Sequence, residues 1–257
     1  MTNTTNTNNV VNSVTFEREL NYIKNEKLRN FTGYVLDKLP DYFREIGASS
    51  SGKYHPSYTL GAGGLIRHTK AAIAVAQDLF TAEIYDFIQN DRDIVTSALI
   101  LHDGLKRGMY EDHTAFDHPL LMENFIYEMY EEYIKINHLE NINNITDLIF
   151  GENIHTIAGA VASHMGKWTT SKYSDTVLPR PKTDIQKCVH LCDYIASRKH
   201  LIFDFDVYDR EEGEYAQITD YCGNCGAKMD ENEVENLKRC SCGDRHYCPE
   251  VEKDENG

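Results

Sequence analysis

The sequence is short of positive charge, has no long apolar run, and carries little cysteine over its first 200 residues. Each shortage excludes something. Against 41 acidic residues stand 26 basic ones, for a formal net charge of -15. A chain this acidic repels a long polyanion, so a broad surface for duplex DNA is not expected. No stretch reaches the about 18 consecutive apolar residues of a membrane-spanning helix, so no membrane partner is expected. The start, Met1 to Asn9, has neither a basic head nor an apolar centre. It does not read as a secretory signal and predicts a disordered polar arm over residues 1–13. Of seven cysteines only Cys188 and Cys192 precede residue 200, and an odd total without an export signal favours reduced thiols in a cytoplasmic protein.

What is present points to a large domain with a small appendage. The chain has 257 residues and 41% hydrophobic content, enough for a substantial core. Charge is unevenly spread: from Asp204 to the end there are sixteen acidic and six basic residues, and five cysteines, Cys222, Cys225, Cys240, Cys242 and Cys248. We therefore divide the chain into a main domain over 14–203 and an acidic, cysteine-rich domain over 204–257.

Helical periodicity dominates the main domain, which predicts an all-α bundle. Residues 14–47 carry Phe16, Leu20, Ile23, Phe31, Val35, Leu39 and Phe43 at helical spacing, interrupted at Pro40. A Gly/Ser-rich loop over 48–64 leads into a helix from Leu65 to Phe80, which places His68 on the face of Leu65 and Ala72. A third helix, Asp91 to Leu105, carries an apolar run, Ile94 to Leu101, that ends in His102-Asp103. A polar loop with His113, Asp117 and His118 precedes a helix from Leu120 to Ile136. Another runs from Ile154 to Trp168, with His164 on its buried stripe, and the last runs from Asp184 to His200, with Asp193 beside its apolar face. On this last helix, Cys188 and Cys192 are spaced as half a metal site but read better as small buried hydrophobes.

Inward histidines and aspartates on five helices are most economically explained by a shared metal centre, because buried polar groups are costly without partners. The ordered series Gly-Gly-Leu-Ile-Arg-His68-Thr, Leu-Ile-Leu-His102-Asp103-Gly-Leu-Lys, Asp-His118-Pro-Leu, Ser-His164-Met-Gly and Asp193-Tyr-Ile-Ala-Ser-Arg resembles the HD-domain metal-dependent phosphohydrolases. It is nearest to the HD module of YhaM-type 3′→5′ exoribonucleases. The resemblance spans Gly63 to Arg198. It implies that His68, His102, Asp103 and Asp193 hold one divalent ion, Mn²⁺, Fe²⁺ or Mg²⁺. It further implies that His118 and His164 help bind a second, with Asp103 as the bridge. One departure stands out. Two-metal relatives often carry His-His where this chain has His164-Met165, and a thioether is a poor ligand for such ions.

A metal in such a centre suits hydrolysis of a phosphate ester or anhydride. The expected substrate is a nucleotide or a short single-stranded nucleic acid. Lys106, with Arg107, Lys167 and Arg198, is expected to offset phosphoryl charge, and His113 is a candidate proton donor. In the tail, Cys222-x-x-Cys225-Gly and Cys240-x-Cys242-Gly resemble a zinc ribbon with short β-strands. Cys248 or His246 is an alternative to one ligand of the shorter pair. Two other functions stay open: a 3′→5′ exonuclease on single strands, and a catalytically weak nucleotide sensor whose ribbon contacts a protein partner. A homo-oligomer also stays open.

Overall fold

A computed structural model describes residues 15–49, 52–109, 113–139 and 145–200, together with the backbone of 238–239 and 247–248. The polar arm, and Cys222, Cys225, Cys240, Cys242 and His246 of the expected ribbon, lie outside the described residues. Between residues 15 and 200 the described chain is mostly helical and contains no β-strand. Its helices are α1 (Glu17–Tyr22), α2 (Glu26–Asp37), α3 (Tyr42–Glu45), α4 (Gly64–Thr81), α5 (Gln89–Leu101), α6 (His118–Ile136), α7 (Ile145–Ala162) and α8 (Asp184–Ala196). Strands β1 (Lys238–Arg239) and β2 (Tyr247–Cys248) pair antiparallel, Lys238 opposite Cys248. No helix among the described residues is long and apolar enough to cross a membrane.

Two compact units emerge: Met1–Phe43 with Thr69–Ala196, and Arg44–His68 with Ser197–Gly257. The first is built around α5, which packs against α1, α2, α7 and α8. Every residue of α5 from Asp93 to Leu101 is buried, because this helix is covered on all sides. Its start is set by Asp91, whose carboxylate accepts the Ile88 backbone N–H at 3.2 Å. Beside it, Thr32 of α2 donates its hydroxyl to Ser97 Oγ of α5 at 3.1 Å, a contact that needs small side chains on both helices. An aromatic knot joins α2, α6 and α7: Phe31 meets Tyr133 and Phe150 edge-on, with centroids 5.4 and 5.9 Å apart. Such pairs add about 0.5–1.5 kcal/mol each beyond area burial.

In the second unit, a loop over 46–63 winds onto the start of α4. Ala48 donates its N–H to Thr59 O and Leu65 to Ile46 O, both at 2.9 Å. Arg67 is buried, and its guanidinium donates to the carbonyls of Tyr58, Leu60 and Ala62. Five donors in a rigid fork suit Arg, and not Lys, to gathering carbonyls that lack strand or helix partners. A Cβ on Gly64 would lie 2.2 Å from Thr59 O, so the close approach needs glycine there.

Several expected boundaries move. Within 14–47, expected as helical segments with the second interrupted at Pro40, the first break falls at 23–25, where Asn25 caps α2 by accepting the Leu28 N–H at 3.1 Å. The third helix stops at Leu101, four residues before the expected Leu105, and His102 and Asp103 lie in the turn that follows. Gly104 lies in this turn closely covered by Leu39 and Met122, whose side chains a Cβ there would meet at 2.8 and 2.9 Å. His118, expected in a loop, is the first residue of α6, where Pro119 suits the opening turn. Helix α7 begins at Ile145, nine residues earlier than expected, and ends at Ala162, so His164 also sits in a turn and not on the helix. Helix α8 ends at Ala196, short of His200.

Candidate metal centre

Three histidines reach the centre by one local device. His102 Nδ1 donates to Leu99 O, His118 Nδ1 to Ala115 O and His164 Nδ1 to Val161 O, each at 2.7 Å and each three residues back. For His102 and His164 the acceptor lies in the last turn of α5 or α7, where carbonyls have lost their intrahelical partners. A carbonyl only accepts, so each Nδ1 carries hydrogen and Nε2 is the ring nitrogen turned toward the centre. Holding the tautomer through the far nitrogen is the usual way a protein aims an imidazole at a metal.

The Nε2 atoms converge on Asp103. His118 Nε2 lies 3.0 Å and His164 Nε2 3.7 Å from Asp103 Oδ1, and the two nitrogens are 3.3 Å apart. His102 Nε2 lies 3.6 Å from Asp103 Oδ2 and 3.7 Å from Asp193 Oδ1, which brings α8 into the group. Lys106 holds Asp103 Oδ2 at 2.5 Å. Asp103, His102, His118 and His164 are each at most 3% exposed, and Asp193 is half-buried.

Electrostatics separate the groups. Burial pushes the Asp103 carboxyl upward, but Lys106, His102 and His118 outweigh it and hold the group well below the usual carboxylate range. His164 is driven the other way: burial, then the neighbouring His102 and His118, lower it to about 3, so it is neutral at physiological pH. An ionised Asp103 beside the neutral imidazole of His164 is a protonation pattern that suits a metal. The ligand atoms of Asp103, His118 and His164 all lie within 4.8 Å of one another. Their nitrogen and oxygen donors suit a borderline or hard divalent ion.

No family model, curated protein or solved structure matches this chain. The chemistry of the centre therefore rests on its own atoms.

His68 is buried in the first turn of α4 and is the last residue of 44–68 in the second unit. Arg107 is half-buried and donates its backbone N–H to Tyr42 Oη. His113 is exposed, and Lys167 is exposed with its Nζ 5.1 Å from the Trp168 ring. Arg198 belongs to the second unit and donates to Ser197 Oγ. Cys188 and Cys192 are buried free thiols; hydrogen bonding from Cys188 and then burial push the Cys192 thiol up, which suits small core residues and not ligands.

Two contributors were missed in the sequence. Tyr42 accepts the Arg107 N–H at 3.0 Å and donates to Gly108 O, fixing the turn after Asp103. His190 donates Nδ1–H to His164 O at 2.7 Å, and its ring lies against Gly166, at φ +64°, where a Cβ would be 2.1 Å away. The available signal was spacing: His190 precedes Asp193 by three residues and shares its helical face.

Proposed function

We propose that the protein is a metal-dependent phosphohydrolase of the HD type, acting on a nucleotide or a short single-stranded nucleic acid. The observation that carries it is the trio His102, His118 and His164, each committed through Nδ1 to a backbone carbonyl and each directing Nε2 at Asp103. Asp103, His118 and His164 would hold one divalent ion, and His102 with Asp193 supply the donors for sharing or extending it. Bound there, such an ion lowers the pKa of water and polarises a phosphoryl oxygen. Asp103 stays ionised and orients the neighbouring imidazoles. Lys106, already on Asp103, supplies the nearest mobile cation for a phosphate oxygen. Purified protein should release phosphate or nucleoside monophosphate from some nucleotide in Mn²⁺, and Asp103→Ala should lose that activity. Absence of turnover across nucleotides and short oligonucleotides, with metal demonstrably bound, would sink the proposal. End-directed degradation of labelled single strands would select the exonuclease form.

Met165 favours a second reading. A half-buried thioether next to His164 contributes no hard donor, which suits a weakly catalytic nucleotide sensor. One tightly held ion and nucleotide binding without turnover would select it. In the tail, the proposed zinc ribbon draws support from the antiparallel β1 and β2, which bracket Cys240 and Cys242 in sequence. Zinc stoichiometry measured on the full chain before and after Cys222→Ser and Cys225→Ser tests it.

A further inference from the structure

Beside the centre stands an aromatic rack that coordination does not use. Trp168 stacks on Tyr194 with centroids 5.7 Å apart and planes 19° from parallel, and His190 meets both rings at 6.2 and 6.1 Å. The rack is tied to the proposed ligands at two points. Tyr194 follows Asp193 directly, and His190 is hydrogen-bonded to the backbone of His164. The Trp168 backbone N–H donates to Met165 O at 3.2 Å, so the residue belongs to the same turn as His164.

The indole is 40% exposed although it sits on a well-packed turn. Burying an exposed aromatic face is favourable, and a planar π-system is the partner that stacks on it. The neighbourhood also carries unusual charge. Residues 167–187 hold five basic residues, Lys167, Lys172, Arg180, Lys182 and Lys187, against two acidic ones, in a chain of net charge -15. The flexible Lys167 and Lys172 carry their Nζ atoms over the rings of Trp168 and Tyr173, 5.1 and 4.6 Å from the centroids, so a base stacking on the indole would displace the Lys167 ammonium toward its phosphate. Aromatic faces interleaved with cations suit a flat base on a phosphorylated backbone, and neither a bare phosphate nor a sugar phosphate needs the aromatic face.

We infer that Trp168, backed by Tyr194, is the stacking platform for the nucleobase of the substrate, with Lys167 and Lys172 attracting its phosphate. The inference rests on the phosphohydrolase proposal and narrows it: the substrate carries a base, and recognition is by stacking, tolerant of base identity.

Trp168 is the sole tryptophan, so its emission reports the platform directly. In Mg²⁺, adenosine 5′-monophosphate should quench the full-length protein's tryptophan emission saturably, and ribose 5-phosphate, which lacks the base, should not. By calorimetry, Trp168→Leu should weaken binding of adenosine 5′-monophosphate roughly 5- to 150-fold, Trp168→Phe much less, and both should leave ribose 5-phosphate binding unchanged. Equal binding of the two probes, or no loss in a folded Trp168→Leu protein, overturns the platform and leaves the phosphohydrolase proposal standing. Quenching without any hydrolysis keeps the platform and removes the hydrolase. No binding of either probe removes both. A short oligodeoxyadenylate run in parallel distinguishes the source of the base: tighter binding than the mononucleotide assigns the platform to a strand end, and equal or weaker binding to a free nucleotide.

Discussion

A buried aspartate stands near each end of helix α5, Asp93 within it and Asp103 in the turn that follows, and the two are built for different work. Asp93 accepts the backbone N–H groups of Lys24 and Asn25, at 3.0 and 2.8 Å, and the Gln89 amide at 2.7 Å. These are neutral donors that stay put, and the carboxylate braces the corner between α1 and α2. Asp103 is equally buried, yet it faces His102, His118, His164 and Lys106, all of them groups that can exchange a proton or an ion. Burial alone does not mark a site. The partners do.

Substitutions can break this contrast, and the largest effect belongs to the C-terminal end of α5. Asp103→Asn should cut metal-dependent hydrolysis by more than about 10²-fold, beyond the 10–100-fold typical of losing an outer partner, measured as initial rates at saturating Mn²⁺. Asp93→Ala strands two backbone amides and should cost about 3 kcal/mol of stability by urea denaturation, with metal content unchanged. If Asp93→Ala instead emptied the centre, the two ends would be one unit and the contrast would fail. Lys106→Ala should raise KM for the phosphorylated substrate about 10-fold, the worth of a charge-assisted hydrogen bond, at unaltered metal stoichiometry.

The smallest effect is a pH response at Tyr42, which braces the turn after Asp103. Burial pushes the Tyr42 phenol from 10.0 up to about 12. A raised folded value means the contribution is complete below pH 10, where the unfolded phenol is also neutral, and is lost as pH rises from 10 to 12. Screening of this half-exposed ring limits the loss to about 1 kcal/mol. Denaturation midpoints of the wild type should fall over that window more than those of Tyr42→Phe.

Much of this was legible in the sequence. The run Ile94 to Leu101 ending in His102-Asp103 reads as a covered helix with a polar corner, and α5 is buried on all sides. His164 was legible as a polar residue on an apolar stripe, and His118 only through the ordered series of motifs, since its neighbours read as a polar loop; both are buried. The turns were not. Helix α5 ends at Leu101, and the turn after it packs Gly104 under Leu39 and Met122, a tertiary fact that periodicity does not carry. Helix α7 hid its start because Ile145, Leu148 and Ile149 are exposed and draw no clean stripe after the Asn-rich connection. The shared Nδ1-to-carbonyl device depends on where each helix stops, so it becomes visible only once those ends are known. His190 gains meaning only when α8 lies against the Gly166 turn.

The central claim is that the converging Nε2 atoms and Asp103 hold a divalent ion. Anomalous diffraction at the manganese edge, on crystals of the full chain grown with MnCl₂, tests it most directly. The account predicts a peak at bonding distance from Asp103 and from the Nε2 atoms of His118 and His164, with each Nδ1 still on its carbonyl. A clear map with no peak there at saturating Mn²⁺, or an ion bound through Nδ1, would contradict it.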